Sequence, residues 1–560
     1  MNEVALSFYR KINKGKLAII DIGSNSIRLV IYPQNGKYPF PLFNERINCK
    51  LGEGLSLSKN ISSQSISKSL SAIKRFAYII KTMSVKHQLI IATAAVRNAK
   101  NAKEFLRPAE KLLNHNIRVL SAKEEADYAS LGVLSNIKVD KGLIADLGGG
   151  SLELILIQDG KKIKSTSIDI GHLSQITSEE IRKEINKVEW LKKSEGLTLY
   201  GTGGSFRALG SAYIKNYNYP LSLLHGLKFN IEKGIILLDL MSDENKEVLG
   251  IPPGRIDTIS TAANIITHLI LLSNVKNIMI SGTSIRDGLI AELNKENRIN
   301  PDKVAYYNVL AKNQRFNGMQ TKIKKIFSPI FQKIADKDLE RVFKISTNLS
   351  DISWDEQPDM RGNIAANKIL SLPVRDLTHI ERVWMAKVVY HRYVGTKDKQ
   401  QIDKRITNLL SEKQKISSYA IGLGLRFIYN FSAGLPKNLD NIKFKIKKNK
   451  LIYFNYSNSL NASTILSNPS TILGNSIVKG IECSSGRYVS IMMADRSDSE
   501  KDLMTYYNFL NSNPNYDCVF GDRWKENNTK NYPIVKRFIN RIGNRIISKL
   551  FRVNYSDFTN

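Results

Sequence analysis

The sequence predicts an α/β protein made of two related halves, followed by a largely helical region. Three observations predict it: a strand–turn–strand motif that occurs twice, an alternation of strands and helices after each copy, and helical periodicity beyond about residue 300. The copies are "KLAIIDIGSNSIRLVIY" (16–32) and "GLIADLGGGSLELILI" (142–157). In each copy two apolar runs flank a glycine-rich turn, which is typical of a β-hairpin.

The segments after each copy predict strands layered with helices. After the first copy, apolar residues recur at helical spacing from Ile66 to Ile80, and "HQLIIATAAV" is strand-like. "NAKEFLRPAEKLL" and "KEEADYASLGVL" are helical and flank the strand "IRVLS". After the second copy, Thr177 or Ser178 can cap the helix "EEIRKEINKVEWLKK". The strand "LTLYGTGGS" and the strand–turn–helix "NIMISGTSIRDGLIAEL" follow it.

The region beyond residue 300 has a different character. Its segments from "KVAYYNVLAKNQRF" to "ISSYAIGLGLRFIYNFS" are mostly helical and predict a separate domain. In "NIKFKIKKNKLIYFNYS", Ile442, Phe444 and Ile446 alternate with lysines, which predicts a half-buried strand. We interpret its lysine face as a solvated edge that blocks aggregation, with a polyanion path as the alternative.

Composition predicts an attraction for polyanions. Lysine and arginine total 83 against 51 acidic residues, a formal charge of +32. This charge does not choose among nucleic acid, polyphosphate and membrane surfaces, and the codon usage of an AT-rich genome explains the many lysines equally well. Three widely separated cysteines, Cys49, Cys483 and Cys518, argue against a disulfide framework or a CxxC metal site. They favour a reducing cytoplasm.

No segment has the pattern of a signal peptide or a membrane span. The first residues lack an uninterrupted apolar run before a small-residue cleavage site. The most apolar long window, "TISTAANIITHLILLSNVKNIMISG", is interrupted by His268, Asn274 and Lys276. We therefore expect a soluble protein.

Three short loops that follow strands predict a phosphate site: "DIGSNS", "DLGGGS" and "YGTGGS". Successive backbone N–H groups in such turns form concave anion sites, and glycine lets the backbone approach phosphate oxygens closely. A single glycine hairpin is common. Three in one α/β chain, two of them directly after an acid, indicate a common function.

The acids beside these loops predict a metal site. Asp21 and Asp146 end apolar strands, where an unpaired charge is costly to bury. Glu153 follows Asp146 across the hairpin and can point to the same pocket, although alone it reads as an exposed strand residue. Oxygen ligands of this kind suit Mg²⁺, which binds through one or two carboxylates plus substrate phosphate.

Seven ordered motifs resemble one known family. They are "IIDIGSNSIRLVIY", "LGEGL", "IATAAVRNAKN", "LSAKEEADYA", "IADLGGGSLEL", "YGTGGSFRALG" and "SGTSIRDGL". This set resembles the exopolyphosphatase and guanosine pentaphosphate phosphohydrolase (Ppx/GppA) family, in the actin, sugar kinase and Hsp70 ATPase superfamily, over about residues 14–300. The resemblance implies two actin-like (ribonuclease H-like) halves, at 1–138 and 139–305.

A weaker resemblance continues beyond the two halves. "LSDISWDEQPDMRGNIAANKILSLP" and "ERVWMAKVVYHRYVG" are similar to the C-terminal region of alphaproteobacterial exopolyphosphatases. This implies a helical HD-like domain and a small mixed α/β region over 306–468. No His/Asp pair of the metal-dependent HD type is visible, so we expect that domain to be inactive and His172, His379 and His391 to be structural.

The resemblance implies a role for each motif residue. Glu124, the first Glu of "KEEA", aligns with the general base, and Asp21, Asp146 and Glu153 align with the metal-linked acids. Arg97 aligns with a cleft arginine, for which a surface salt bridge is the alternative. The phosphate-loop positions are Gly23, Ser24, Asn25, Gly148, Gly149, Gly150, Ser151, Gly203 and Gly204.

Two motif positions depart from the family pattern. Lys50 precedes "LGEGL" where the family often has arginine, which keeps the charge but loses bidentate geometry. "RDG" at Arg286 to Gly288 replaces the usual Arg-Glu-Gly, a mild change.

The C-terminal segment 469–560 carries a second resemblance. "MMADRSDSEKDL", "FGDR" and "NRIGNR" resemble the middle of a family 2 glycosyltransferase, with Asp495 and Asp498 as its acidic motif. The initial nucleotide-binding strands of that fold have no place upstream. We interpret the segment as a partial glycosyltransferase-A-like remnant, with a basic helical tail as the alternative, and expect its deletion to leave phosphatase activity intact.

Together these features predict a cytoplasmic, Mg²⁺-dependent exopolyphosphatase that binds inorganic polyphosphate and no specific nucleic acid. We expect a homodimer. Hydrolysis of guanosine pentaphosphate uses the same set of site residues and is the alternative within the enzyme class. A kinase or ATPase on the same scaffold, or a non-catalytic binder of polyphosphate or alarmone, are alternatives of other classes.

Overall fold

The fold is described from a computed structural model. It describes residues 15–33, 41–243, 245–296, 318–395, 402–432, 436–439, 442–447, 451–456, 466–467, 504–505, 507–508 and 511–512. These form two compact units, each considered by itself. The first contains the described residues of Met1–Arg315 and Phe331–Arg426, and the second those of Phe316–Ile330 and Phe427–Asn560.

The first half of the first unit is a five-stranded sheet with helices. The strand order is β3-β2-β1-β4-β5, antiparallel from β1 to β3 and parallel from β1 through β4 to β5. Its elements are β1 (Leu17–Ile22), β2 (Ser26–Tyr32), β3 (Phe43–Asn48), α1 (Leu55–Ser58), α2 (Ser63–Thr82), β4 (His87–Ala92), α3 (Ala94–Arg97), α4 (Ala102–Leu113), β5 (Arg118–Val119) and α5 (Ala122–Leu134).

The second half repeats this topology and adds one edge strand. Its order is β10-β11-β9-β6-β7-β8, antiparallel from β6 to β8 and parallel from β6 through β9 to β11. Its elements are β6 (Gly142–Leu147), β7 (Leu152–Gln158), β8 (Lys161–Ile168), α6 (Ser178–Asn186), β9 (Thr198–Thr202), α7 (Gly203–Asn216), β10 (Lys228–Asn230), α8 (Ile231–Ser242), α9 (Ile256–Ser273), β11 (Asn277–Ile280) and α10 (Ile285–Glu296). The predicted internal repeat is therefore confirmed as two related sheets, the actin-like arrangement that the resemblance implied.

Each half has its own apolar core. Phe76 of α2 and Phe105 of α4 are fully buried in the first core, and Phe206 of α7 in the second. Among the described residues, Pro253–Ser273 is the one helical segment long and apolar enough to cross a membrane. Ala263 and Ile266 within it are buried in the second core, so its apolar face packs as core helices of globular domains do.

Helices follow the two halves, as predicted: α11 (Met319–Ile334), α12 (Glu340–Leu349), α13 (Arg361–Leu370), α14 (His379–Val394), α15 (Lys404–Thr407) and α16 (Glu412–Phe431). Short 3₁₀ turns lie at Glu189–Ser194, Pro253–Arg255, Lys337–Leu339, Pro358–Met360 and Pro436–Leu439. Trp384 of α14 is fully buried, and its Nε1 donates to Ser417 Oγ at 3.0 Å. Asp351 and Arg392 form a buried ion pair at 2.8 Å.

The second unit contains a small sheet. Strands β12 (Ile442–Lys447), β13 (Leu451–Tyr456) and β14 (Leu466–Ser467) pair antiparallel in that order. The predicted strand at Ile442 is confirmed, and the segment after it returns as a second strand. The predicted glycosyltransferase-like segment 469–560 lies outside the described residues, apart from three isolated pairs of helical residues.

Candidate active site

The two hairpin turns of the repeat close in the same way and meet each other. Gly23 N donates to Ser26 O at 3.1 Å, and Gly148 N donates to Ser151 O at 2.9 Å. A Cβ on Gly149 would lie 2.7 Å from Ser24 Cβ, so only glycine allows this approach. The structure thus brings two predicted phosphate loops into contact.

The remaining residues of these two loops are held through their side chains and through a backbone carbonyl group. Ser24 and Ser151 are buried, and a Cβ on Gly150 would lie 3.6 Å from Ser24 Oγ. Asn25 O accepts hydrogen bonds from Cys49 N at 3.1 Å and Lys50 N at 3.0 Å. The Lys50 side chain forms an exposed ion pair with Glu53 at 2.9 Å. Lys50, which stands where the family often has arginine, therefore pairs its charge with the Glu53 carboxylate.

The third loop joins them at Asp146. Gly203 begins α7 with φ of +90°, and a Cβ there would lie 2.7 Å from Asp146 Oδ1. Gly204 faces a guanidinium, because a Cβ on it would lie 1.8 Å from Arg255 Nη2. The first N–H groups of this 14-residue helix lack intrahelical partners, which favours anions at this end. All three predicted loops converge at one place.

A polar row crosses the first sheet beside the loops. Asp21, Arg28 and Arg46 occupy directly opposite positions on β1, β2 and β3. Arg28 Nε donates to Asn44 Oδ1 at 2.7 Å, and Arg46 Nε donates to Ser26 Oγ at 2.9 Å. The first half therefore presents one acid and two guanidinium groups.

The equivalent row of the second sheet is acidic. Asp146 lies opposite Glu153 on β7, and Glu153 lies opposite Ser167 on β8, whose Oγ donates to Glu153 Oε1 at 3.1 Å. Glu153 occupies the position that Arg28 has in the first sheet. Two carboxylates on adjacent strands therefore share one face, as predicted.

Burial raises the pKa values of both of these carboxylates. Burial raises the pKa of Asp146 to about 6, opposed by Arg207 and reinforced by Asp21. Burial, then the nearby Glu125 and Asp146, raise the pKa of Glu153 well above its ordinary value. Within the described residues, no group of three or more His, Cys, Asp or Glu side chains is arranged to hold a metal ion.

The third predicted metal-linked acid has a cationic partner. Asp21 Oδ2 forms an ion pair with Arg286 Nη1, and both side chains are largely buried. The carboxylate raises the pKa of Arg286 against the effect of burial. Asp21 therefore orients an arginine in this structure.

Arginine side chains concentrate around these carboxylates, and motif comparison alone did not identify them as site residues. Burial and the neighbouring guanidinium groups lower the pKa of Arg28, Arg207 and Arg255 to about 10. Burial and Arg286 likewise lower the pKa of Arg46. Clustered cations under these conditions favour an anionic ligand, which relieves their repulsion. The members are Arg28, Arg46, Arg207, Arg255 and Arg286, and we call them the arginine cluster.

His172 belongs to the same region. Its Nε2 lies 2.9 Å from Arg255 Nη1, and its Nδ1 lies 3.5 Å from Ser205 Oγ. Burial and Arg255 lower its pKa to about 3, so the ring is neutral and accepts from the guanidinium. His172 thus orients Arg255 beside the third loop, which refines the expectation of a purely structural histidine.

The predicted base, Glu124, lies in the capping box of α5. Its Oε2 accepts from Ser121 N and Ser121 Oγ, both at 2.8 Å, and its Oε1 pairs with Arg118. Burial acts to raise its pKa, but the bonds from Ser121 and Arg118 lower it overall. With 37% of the side chain exposed, Glu124 is a structural capping residue here.

The next residue faces the site instead. Glu125 is buried, and its Oε2 accepts from Arg97 Nη1 at 2.7 Å. Burial raises its pKa to about 7 against the effect of Arg97, and Asp146 and Asp21 add to the rise. Arg97 Nη2 is buried and has no hydrogen-bond partner among the described residues. The surroundings therefore favour Glu125 over Glu124 as an acid–base group, and Arg97 is internal rather than a surface salt bridge.

Family models match two segments of the chain. Residues 29–297 match the Ppx/GppA phosphatase family, and residues 329–462 match the exopolyphosphatase C-terminal region. The second match covers most of the helical region and strands β12 and β13 of the small sheet.

Curated relatives and solved structures are similar at low identity. The chain is 24% identical to a putative exopolyphosphatase of Haemophilus influenzae, over 53% of this chain and 96% of that protein. It is 24% identical to the guanosine-5'-triphosphate,3'-diphosphate pyrophosphatase of Vibrio cholerae, over 49% of this chain and 59% of that protein. An exopolyphosphatase structure from Cytophaga hutchinsonii is 22% identical, with a TM-score of 0.45 over 50% of this chain and 98% of that one.

Proposed function

Because the chain belongs to the Ppx/GppA phosphatase family through residues 29–297, we propose that it hydrolyses the terminal phosphoanhydride bonds of inorganic polyphosphate. The observation that carries this proposal is the largely buried Arg97–Glu125 pair beside three converging glycine loops. The pair supplies a proton acceptor and a cation, and the loops supply backbone N–H groups for phosphate oxygens.

Glu125 would act as the general base. Its carboxylate takes a proton from a water molecule while the water oxygen bonds to the terminal phosphorus and the bridging P–O bond breaks. The products are orthophosphate and a chain shortened by one phosphoryl group. A pKa of about 7 keeps Glu125 near the protonation state that this task requires. Arg97 orients the carboxylate and offers Nη2 to a phosphoryl oxygen.

The arginine cluster would hold the phosphates. Planar guanidinium groups match phosphate oxygens bidentately, and a partly desolvated site strengthens each contact. Arg46 reaches Ser26 of the first loop, and Arg255 packs on Gly204 of the third. A substrate with several adjacent phosphates can contact both sides of the loops at once.

Mg²⁺ fits the acidic row in our proposal. Asp146 and Glu153 would hold it, because burial and mutual repulsion raise both pKa values and a bound cation relieves that repulsion. Asp21 fits less well as a ligand, since Arg286 already neutralises it. When bound, the ion supplies charge neutralisation to the transferred phosphoryl group.

The variant Glu153→Gln tests this cation site without turnover. Wild-type protein should gain about 2.7 kcal/mol of unfolding free energy at Mg²⁺ 100-fold above its dissociation constant, and the variant should gain far less. In EDTA the variant should melt no lower than wild type, since Glu153 is costly to bury ionised. Differential scanning calorimetry measures both. Exposed Glu180→Gln is the control, and an undiminished Mg²⁺ shift in Glu153→Gln would reject the site.

The substrate preference rests on charge. The arginine cluster and the formal charge of +32 favour a long polyanion over a single nucleotide. Guanosine pentaphosphate remains the second candidate, because the Vibrio cholerae relative carries that activity in its name. Phosphate release from both substrates, side by side and with or without Mg²⁺, should give the higher kcat/KM for long polyphosphate. A higher kcat/KM for guanosine pentaphosphate would make it the preferred substrate and polyphosphate the second candidate.

Location and assembly are further proposals. We propose a cytoplasmic enzyme, consistent with the three widely spaced cysteines, and a homodimer. Sedimentation analysis of the full chain tests the dimer.

A kinase on the same scaffold would transfer phosphate to ADP instead of releasing it to water, and a pure binder would do neither.

A further inference from the structure

The loop between β11 and α10 is held from both ends by side chains. Gly282 N donates to His225 Nδ1 at 3.0 Å, and Ser284 N donates to Asp287 Oδ2 at 2.8 Å. Thr283 O accepts from Thr202 Oγ1 at 2.8 Å, which ties the loop to β9. Arg286, which pairs with Asp21, lies two residues beyond this loop.

A single residue of the helical region reaches both anchors. Arg375 Nη1 forms an ion pair with Asp287 Oδ1, and Arg375 O lies 2.6 Å from His225 Nε2. Because His225 Nδ1 accepts the Gly282 N–H, its proton sits on Nε2, which donates to the Arg375 carbonyl. Burial lowers the pKa of His225 to about 4, in agreement with this neutral ring.

The helical region makes a second contact at the same place. His379, the first residue of α14, has its Nε2 3.1 Å from His225 O and its Nδ1 2.8 Å from Tyr219 OH. The segment that carries Arg375 is therefore fixed by α14 just beyond it. Arg375 joins two ordered elements within the first compact unit.

We infer that Arg375 and Asp287 act as a clamp through which the helical region positions Arg286 for catalysis. This inference rests on the proposed function, in which Arg286 contacts substrate phosphate. Asp287 uses one carboxylate oxygen to cap the start of α10 and the other to bind Arg375. Any displacement of Asp287 therefore shifts the helix turn that carries Arg286. The shorter aspartate in "RDG" places this carboxylate close to its own helix start.

The test is a double-mutant cycle on phosphate release from polyphosphate. Arg375→Gln should lower kcat about tenfold, since small misplacements of a catalytic group are costly, and should change KM less than about twofold. In an Arg286→Gln background, Arg375→Gln should lower kcat no further, because it acts through Arg286. Arg375→Lys, which retains the charge, should recover part of the loss.

Arg405→Gln is the matched control. Arg405 lies in the same helical region and forms an ion pair with Asp403 at 2.7 Å, outside the clamp. Equal losses in Arg405→Gln and Arg375→Gln, or additive losses with Arg286→Gln, would overturn the inference in favour of general loosening.

Hydrogen exchange separates failure of the clamp from failure of the proposed function. The amides of Gly282 and Ser284 should exchange faster in Arg375→Gln than in wild type, and this readout needs no turnover. If the wild-type protein releases no phosphate, the proposed function is wrong, but hydrogen exchange still shows whether Arg375 holds the loop. Equal exchange rates in Arg375→Gln and wild type would show that the clamp does not exist.

Discussion

Glu125→Gln is expected to lower kcat for orthophosphate release by about 10²–10⁴-fold, the usual contribution of a general base. Glutamine keeps the shape and can still bond Arg97, but it cannot accept a proton from water. Glu124→Gln is expected to change kcat less than about threefold, because Glu124 caps α5 and pairs with Arg118. The two adjacent variants are matched in charge and helix position, so steady-state kinetics compares them directly.

The pH profile provides an independent check of the same assignment. Only deprotonated Glu125 accepts a proton, so the wild-type rate should rise as pH increases through about 7. The residual rate of Glu125→Gln should lack that ionisation. Retention of the step in Glu125→Gln together with its loss in Glu124→Gln would return the role to Glu124.

Arg286→Gln is expected to lower kcat by about 10²–10³-fold, the loss typical of removing one preorganised charged donor. The Arg286 side chain is 13% exposed and is oriented by Asp21, so its charge would act on the substrate with little solvent screening. Stopped-time phosphate assays measure the loss.

The control for Arg286 is Arg75→Gln. Arg75 also pairs with a carboxylate, Glu45, but its side chain is 58% exposed and lies outside the arginine cluster. It should keep wild-type kcat within about twofold, and Arg286→Lys should fall between wild type and Arg286→Gln. Equal kcat values for Arg286→Gln and wild type would show that Arg286 does not take part in catalysis.

The fold of the two halves followed from local sequence. Apolar strands around Gly23 and Gly148 dictate hairpins, and the repeat predicted two similar sheets. The order of strands within each sheet depends on crossovers between distant segments, which periodicity does not encode. Strand β10 was not predicted for a different reason: with three residues it is too short to show a periodic pattern.

The sequence contains one signal that separates the two glutamates and that motif comparison did not use. Ser121-x-x-Glu124 has the capping-box pattern, which commits Glu124 to the start of α5 and leaves Glu125 to face inward. Asp21 and Asp146 were expected to need a partner because they end apolar strands, where an unpaired charge is costly to bury. That reasoning does not say which partner each acid has, and for Asp21 it is Arg286.

The arginines show where sequence reasoning ends. Arg28 aligns with Glu153 between the two copies, so comparison of the repeats would have placed it on the site face. Arg286 meets Asp21 from 265 residues away, and only the assembled halves bring them together. Arg255 and His172 likewise lie on separate elements of the second half.

Hydrolysis in ¹⁸O-enriched water tests the central claim most directly. We predict that long polyphosphate, incubated with wild-type enzyme and Mg²⁺, yields orthophosphate that carries a single ¹⁸O from the attacking water, as measured by mass spectrometry. Adding ADP should leave that yield unchanged. Orthophosphate without label, or ATP formed at the expense of labelled orthophosphate, would contradict a base-activated water in this cleft.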